Sequence, residues 1–434
     1  MNQLKVFLKK IPVQLLLWFK WLLFLICLVI LLLTMTELNS RLIVSQSEST
    51  QFYTAWYGYR IFLAEGTNPY GQEMQTQILD SESAFAENIE SRDIFLRQPL
   101  YGIIVYLPFI FIRDFSVAYA WWLTLLELAL VLMVVFGVLI IKKNLKQNIL
   151  YLIIAFFLAF GSLQFFDAIQ QGSTVFLSFF LLFIAVRALQ KGGDEFTGVI
   201  LAGLTVFPFF GWISLLFILI WSLRQGRSKV FWWFLGTIVL FGFAVALLEP
   251  QWLLYYLRMW VRYFESIEVS FILQTLQSVF PATFLLPGFI TIFLSALLFL
   301  EWILAGRREF TLFYWSFQLT LVIESLLTLD VNLVNLIFLP TSLAFILAIW
   351  IDRWKEKGRA VGLLMAILCT LLPWSLDSIL GERGLVQELL LVGLSAVLVL
   401  ANLYWIRWWI TRNVNLWQHD IYSLEESGND SGIL

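Results

Sequence analysis

In 434 residues the sequence holds only two cysteines, Cys27 and Cys369, and one histidine, His419. Both cysteines lie inside apolar runs, which excludes a disulfide framework and a thiolate zinc site. His419 sits in a polar tail, so no histidine relay operates among the apolar segments. Charged residues make up 13% of the chain, half the share usual in a water-soluble domain, and a net charge of −2 offers no basic field to nucleic acid. There is no Gly-x-x-x-x-Gly-Lys phosphate loop for ATP-driven work. No internal repeat of fixed period is visible, which counts against an inverted-repeat transporter.

Apolar mass is what the chain has in excess: 60% hydrophobic residues, with 20 Trp, 41 Phe and 14 Tyr, and a mean hydropathy of +0.84. This is the composition of an all-α, polytopic transmembrane helix bundle. A basic head (1–14, with Lys5, Lys9 and Lys10) precedes an apolar anchor over 15–35. No A-x-A-like site follows it, so the anchor is expected to stay uncleaved. A polar loop of about sixty residues, 36–98, comes next. A transmembrane core over 99–248, a second polar loop over 249–282, further helices over 283–411 and a polar tail over 412–434 complete the chain.

A helix needs about 20 residues to cross the hydrocarbon. Apolar runs near 99–112, 117–141, 149–166, 173–189, 196–222, 229–248, 283–304, 310–329, 332–350, 360–380 and 386–410 follow the anchor, giving about twelve spans. Those at 99–112 and 173–189 are short for a crossing. Twelve spans put the basic head, Arg224 to Lys229, Arg307-Arg308, Arg353 to Arg359, and Arg407 with Arg412 on the cytoplasmic side of a plasma (inner) membrane, with both termini inside. Lys142 to Lys146 and Arg187 to Lys191 then fall outside, against the rule. The loop 36–98 and the loop from Glu249 to Pro281 face outward.

In the first outward loop Phe52, Ala55, Trp56, Tyr59, Phe62 and Leu63 recur at spacings of three and four, one stripe of an amphipathic helix. Gly66 is its expected stop, with Pro69 beyond. Such a helix is expected to lie on the bilayer surface, aromatic face down, with Arg60 at headgroup depth. A second such helix is expected over Gln251 to Glu265, where Trp252, Tyr255, Tyr256, Met259, Trp260 and Tyr263 interleave with Arg258 and Arg262. Arg97, just before Pro99, is placed for bidentate phosphate binding or for pairing with Asp93.

The block Phe52-Tyr-x-x-Trp56-Tyr-x-x-Arg60, continuing to Gly66-x-Asn-Pro-Tyr70, resembles the segment after the first span in glycosyltransferase family 87 of the GT-C superfamily, which includes polyprenol-phosphate-mannose-dependent mannosyltransferases. Pro99-Leu-Tyr, Ala118 to Trp122, Gln171-Gly-Ser, Gly198 to Pro208 and Glu249-Pro-x-Trp252 with Tyr263 extend the resemblance over roughly residues 15–280. It implies a GT-C-like bundle that transfers a hexose from a polyprenyl-phosphate donor to a hydroxyl of a glycolipid or glycan acceptor outside the cytoplasm. An acidic residue early in the first outward loop would act as general base.

The chain departs from that pattern at two points. Gln51 stands where relatives carry Asp, and Phe207 where they carry Lys. The base is therefore Glu48, one helical turn away, or another loop carboxylate, or is missing, in which case the protein is an inactive relative that binds lipid-linked sugar or acts as a scaffold. Arg60, Arg97, Arg258 and Arg262 are the candidate phosphate ligands. Gln51, Tyr57, Tyr59 and Tyr70 are the candidate sugar or acceptor contacts. No organic cofactor is implied, and the loop has carboxylates enough for a divalent cation but no spaced ligand cluster.

Glu127, Asp167, Glu301, Glu324 and Asp330 fall in or near apolar runs, where a carboxylate is costly. Glu127 and Glu324 are the deepest. They are either hydrogen-bonded between helices or part of an ion path, the latter being the main support for a secondary transporter or flippase. Asp167 with Gln170 and Gln171 makes a polar break that could line a headgroup cavity.

Overall fold

The computed structural model describes residues 13–42, 50–79, 96–141, 145–208, 210–266, 286–305, 310–327, 333–380 and 385–411. Among these residues there is no strand. The expected all-helical bundle is present. Its elements in chain order are α1 (Val13–Leu42), α2 (Thr50–Glu65), α3 (Gln72–Leu79), a 3-10 turn at Leu100–Gly102 leading into α4 (Ile103–Ile110), and α5 (Phe115–Ile141). Then come α6 (Leu145–Phe160), α7 (Leu163–Gln170), α8 (Val175–Gln190), α9 (Asp194–Leu204), α10 (Trp212–Arg224), α11 (Ser228–Ala246) and α12 (Trp252–Ser266). The last are α13 (Leu286–Ala305), α14 (Phe310–Leu327), a 3-10 turn at Leu333–Leu336 with α15 (Leu339–Trp354), α16 (Glu356–Leu380) and α17 (Leu385–Ile410).

Seven of these helices are long and apolar enough to cross a membrane, or eight if the α6–α7 pair, bent by 56°, counts as one span, while α8 and α13 are shorter apolar helices, so the expected twelve are not all matched. Two of the expected twelve spans are something else. The run at 99–112 is a 3-10 turn and an eight-residue helix with Pro108 inside it, about 12 Å of α-helix at 1.5 Å per residue, too short to cross. The run at 196–222 is two helices, α9 and α10, broken at 205–211 around Pro208 and a left-handed Gly211 (φ 102°).

Both open ends of that α9–α10 hairpin lie together. Arg227, just after α10, donates to the Asp194 carboxylate at the start of α9 and to the Leu189 carbonyl, and Lys229 pairs with Glu195 at 3.6 Å. The hairpin enters the bundle and returns to the pole it came from. With 11 and 13 residues its arms reach roughly 16 and 20 Å, against about 30 Å of hydrocarbon.

The same pole gathers the other basic ends. Arg187 and Gln190 donate to the Leu139 and Ile140 carbonyls at the end of α5. Trp221 donates to Ala305, Arg407 to Glu301, and Arg353 to the Trp409 carbonyl. Arg187 to Lys191, expected on the opposite face, therefore lie with the other basic loops. The conflict in charge bias came from counting the hairpin and the α4 run as spans. The N-terminal end of α1 and the C-terminal end of α17 share this pole, because Asn39 near the other end of α1 meets Thr124 and Glu127 in the first half of α5.

Packing follows burial. α14 is enclosed almost along its length, with Thr311 to Ser325 all buried, and it forms the axis around which α10, α13, α15 and α17 stand. By contrast α1 is exposed on nearly every face and touches the body through one row ending at Asn39. Such surfaces are what lipid covers.

Candidate functional site

At the pole opposite the basic loops, α2 docks on the upper turns of α5. Phe52 stacks on Trp122 with centroids 4.9 Å apart, and Tyr53 and Trp56 meet the Phe115 ring at 5.0 and 5.4 Å. Phe52, Ala55, Trp56, Tyr59 and Phe62 are buried, and the Trp56 indole donates to the Phe109 carbonyl at 2.9 Å. The stripe is amphipathic as expected, but it faces protein and not lipid. α5 extends past α1 and offers Phe115, Tyr119 and Trp122 as an aromatic wall, which gives edge and stacking contacts that acyl chains cannot. Gly66 (φ 71°) ends the helix as expected.

Beneath α2 the segment Arg97-Gln98-Pro99 is held by tyrosine hydroxyls. Tyr59 donates to the Pro99 carbonyl at 3.0 Å, Tyr70 to the Gln98 carbonyl at 2.9 Å and Tyr256 to the Arg97 carbonyl at 3.3 Å, while the Gln98 amide donates to Tyr106 at 3.3 Å. Tyr101, two residues on, shares a 2.8 Å hydrogen bond with Thr205 in the hairpin tip. Tyr59 is 0% exposed and presents no ring face to a sugar, contrary to expectation, whereas Tyr70, 2% exposed, lines the cleft beside α12. Their hydroxyls clamp the backbone. Burial, then neighbouring tyrosines, push both phenols well above their ordinary pKa, and burial does the same to Tyr256. All three are held as neutral donors.

On this platform rests α12. Its Trp252 indole reaches back to the Gly242 carbonyl of α11 at 3.2 Å and packs edge-on to Tyr101 at 5.9 Å, so the helix lies across the end of α11. Trp252, Met259 and Tyr263 face inward. Arg97 is buried with its guanidinium 4.7 Å from the Tyr263 ring centroid. Between α12 and the turn before α3 opens a cleft of about 580 Å³, lined by Asn68, Tyr70, Gly71, Gln72, Tyr255, Arg258, Val261 and Arg262. Arg262 donates to the Tyr70 carbonyl at 2.6 Å, which holds its guanidinium at the rim. Asn68 holds the turn by accepting from the Tyr70 amide at 3.0 Å, a local Asx turn.

Two of the four expected phosphate ligands, Arg258 and Arg262, therefore share one cleft, and Arg97 lies buried against the same helix. Arg60 does not join them. It stacks on Trp56 at 5.2 Å and donates to the Arg113 carbonyl at 3.3 Å, at the α4–α5 turn. Tyr57 is half-buried against Tyr53 and Gln51 is half-buried. Glu48, Asp93 and Asp330 lie outside the described residues. Asn68, Gln72 and Tyr255 were not assigned a binding role from sequence, although Asn68 stands inside the Gly66-to-Tyr70 motif and Tyr255 inside the α12 stripe. Among the described residues no three His, Cys, Asp or Glu side chains gather as a metal requires.

The deep carboxylates have structural partners. Glu324 on α14 accepts from the backbone amides of Gly211, Ile213 and Ser214 at 2.9, 2.9 and 3.1 Å and from the Ser214 hydroxyl at 2.5 Å. It caps the start of α10, where the helix dipole and free N–H groups favour an anion. Glu127 accepts from Asn39 at 3.0 Å, and Glu301 pairs with Arg407 at 3.0 Å. Asp167 is buried in α7, and the neighbouring Gln171–Gly172 turn is locked as Tyr119 and Trp122 donate to the Gln170 and Gly172 carbonyls.

No known protein family, curated protein or solved structure matches the chain.

Proposed function

We propose that the chain is a multi-pass membrane hexosyltransferase of the GT-C kind, which takes a polyprenyl-phosphate hexose into the α12 cleft and passes the sugar to an acceptor hydroxyl. The observation that carries this reading is the pairing of Arg258 and Arg262 in one cleft at the pole opposite the basic loops. By the positive-inside rule the basic pole is cytoplasmic, so the cleft faces outward. In the reaction the acceptor oxygen bonds to the anomeric carbon, the bond from that carbon to the phosphate oxygen breaks, and the acceptor proton passes to a carboxylate. The departing polyprenyl phosphate keeps the electron pair, and the arginines hold its growing charge.

A binding protein without transfer is the second reading. In its favour, no carboxylate among the described residues lines the cleft, and Gln51 stands where the resembling family carries Asp. Purified protein with labelled polyprenyl-phosphate sugars and a panel of acceptors separates the two. Transfer by wild type that falls at least a hundredfold in Glu48→Gln supports the enzyme with Glu48 as base. Transfer seen only in Gln51→Asp supports the inactive relative. Failure of wild type to bind any polyprenyl phosphate defeats both.

A further inference from the structure

Among the described residues nine tryptophans are exposed, and seven of them stand at the basic pole. Trp18 and Trp21 lie near the N-terminal end of α1, Trp232 and Trp233 in the first turns of α11, Trp354 at the end of α15, and Trp405 and Trp408 in the last turns of α17. The most open of them, Trp18, Trp21, Trp232 and Trp405, are 76%, 67%, 64% and 61% exposed, and none of these four donates its indole N–H to a described residue. By contrast the buried Trp56, Trp122, Trp221, Trp302 and Trp315 all donate inside the protein. Of the two exposed tryptophans elsewhere, Trp374 donates to the Gly161 carbonyl and Trp212 stands beside the hairpin tip.

We infer that these tryptophans form a collar seated in the headgroup layer of the leaflet at the basic pole, and that the collar fixes the depth of the whole chain. An indole is flat and mostly apolar but carries one N–H. Acyl chains offer that N–H no acceptor, whereas headgroup esters and phosphates do. Arg224, Lys229 and Lys355, exposed at the same pole, suit the same phosphates. Measured from the collar, the far ends of two helices agree on one bilayer. Twenty residues of helix, about 30 Å, separate Trp18 from Leu38 in α1 and Trp405 from Leu385 in α17, which is about the thickness of the hydrocarbon. α11 runs only about 21 Å beyond Trp232, and α12 lies across its end. The outer face of α12, where Leu253, Leu254 and Leu257 are exposed, is therefore held in the acyl chains of the opposite leaflet, about 9 Å inside their edge.

The test places the full chain, with Cys27 and Cys369 replaced by Ser and Ala, in phosphatidylcholine bilayers of short, medium and long acyl chain. Spin labels on single cysteines, Leu235→Cys one turn inside the collar, Leu257→Cys on α12 and Gln72→Cys at the cleft, report depth through collisions with oxygen and with a water-soluble nickel chelate. In medium bilayers the Leu257 label should meet oxygen and the Gln72 label the chelate; equal access of the chelate to both overturns the immersion of α12. As the bilayer thickens, the Leu235 label should keep its depth below the headgroups while the Leu257 label sinks further below its own, since a collar on one side throws the mismatch onto the other. Equal sinking of both labels overturns the collar as the anchor. The variant Trp18→Leu/Trp21→Leu/Trp232→Leu/Trp405→Leu keeps the surface apolar and removes four indoles, so both labels should then sink together. A Leu235 label that still holds its depth there would assign the anchoring to the basic side chains and not to the tryptophans.

Discussion

Three tyrosine hydroxyls that end on three consecutive backbone carbonyls, 97 to 99, tie α2, the turn before α3 and α12 to one segment. Tyr59 and Tyr70 are buried, so the loss of either hydroxyl leaves a carbonyl with neither protein nor water, whereas Tyr256 is only partly buried. Tyr59→Phe and Tyr70→Phe should each cost about 1–2 kcal/mol, read as a lower midpoint of thermal unfolding in detergent, whereas Tyr57→Phe, half-buried on the far face, should change little. The pH dependence has a definite sign. Tyr59 and Tyr70 hold their protons more tightly folded than unfolded, where a phenol titrates near 10. Their contribution is complete below about pH 10 and is lost as pH rises above it. Phenolate absorbance should therefore appear together with unfolding, not before it; ionisation of these rings in a protein that stays folded at pH 11 would contradict the clamp. Sequence placed these tyrosines on the right surface but did not show the backbone carbonyls they hold. Aromatic rings between polar residues look the same whether they stack on a sugar or tether a backbone, and the carbonyls they serve lie 28 to 40 positions away.

Periodicity and caps gave α2 and α12 nearly to the residue, because a stripe at spacings of three and four with a glycine stop is a local property. The α9–α10 hairpin was not legible in the same way. Its 196–222 run is as apolar as a true span, since a hairpin inserted among helices needs the same side chains as one that crosses. The available sign was Pro208 with Gly211 in mid-run, matched by a carboxylate, Glu324, elsewhere in the apolar chain. That match makes a test. Glu324→Leu strips the cap from the start of α10 and should destabilise the fold by roughly 3–5 kcal/mol, while Glu324→Gln, which keeps an acceptor oxygen of the same shape, should cost clearly less. Thermal unfolding of the two variants in one detergent decides it, and equal losses would mean that the cap needs both carboxylate oxygens and that one amide oxygen does not replace them. Gly198, whose missing Cβ would lie 2.5 Å from the Val230 carbonyl oxygen and 2.8 Å from the Phe234 amide, seats α9 directly on the backbone of α11. Gly198→Leu should push these helices apart at a cost of about 1–3 kcal/mol.

At the scale of the molecule, the basic ends at Arg187, Arg227, Arg353 and Arg407 gather at one pole and the arginine cleft lies at the other, and that polarity turns on one element. If residues 196–222 crossed the membrane, Lys191 and Gln225 would face opposite compartments. With α9–α10 as a hairpin they face the same one, as the Arg227 to Asp194 contact requires. Both are exposed, so single cysteines there, in a chain with Cys27 and Cys369 replaced by Ser and Ala, report sidedness to a membrane-impermeant thiol reagent in sealed vesicles. Lys191→Cys and Gln225→Cys should react from the same side, and Gln72→Cys at the cleft from the other. Reaction of the first two from opposite sides would restore the continuous span, invert every helix from α11 onward relative to α1–α8, and place α12 on the side of the basic loops. No cleft for an extracytoplasmic acceptor could survive that result, so the hairpin's direction of return is the physical fact on which the orientation of the site depends.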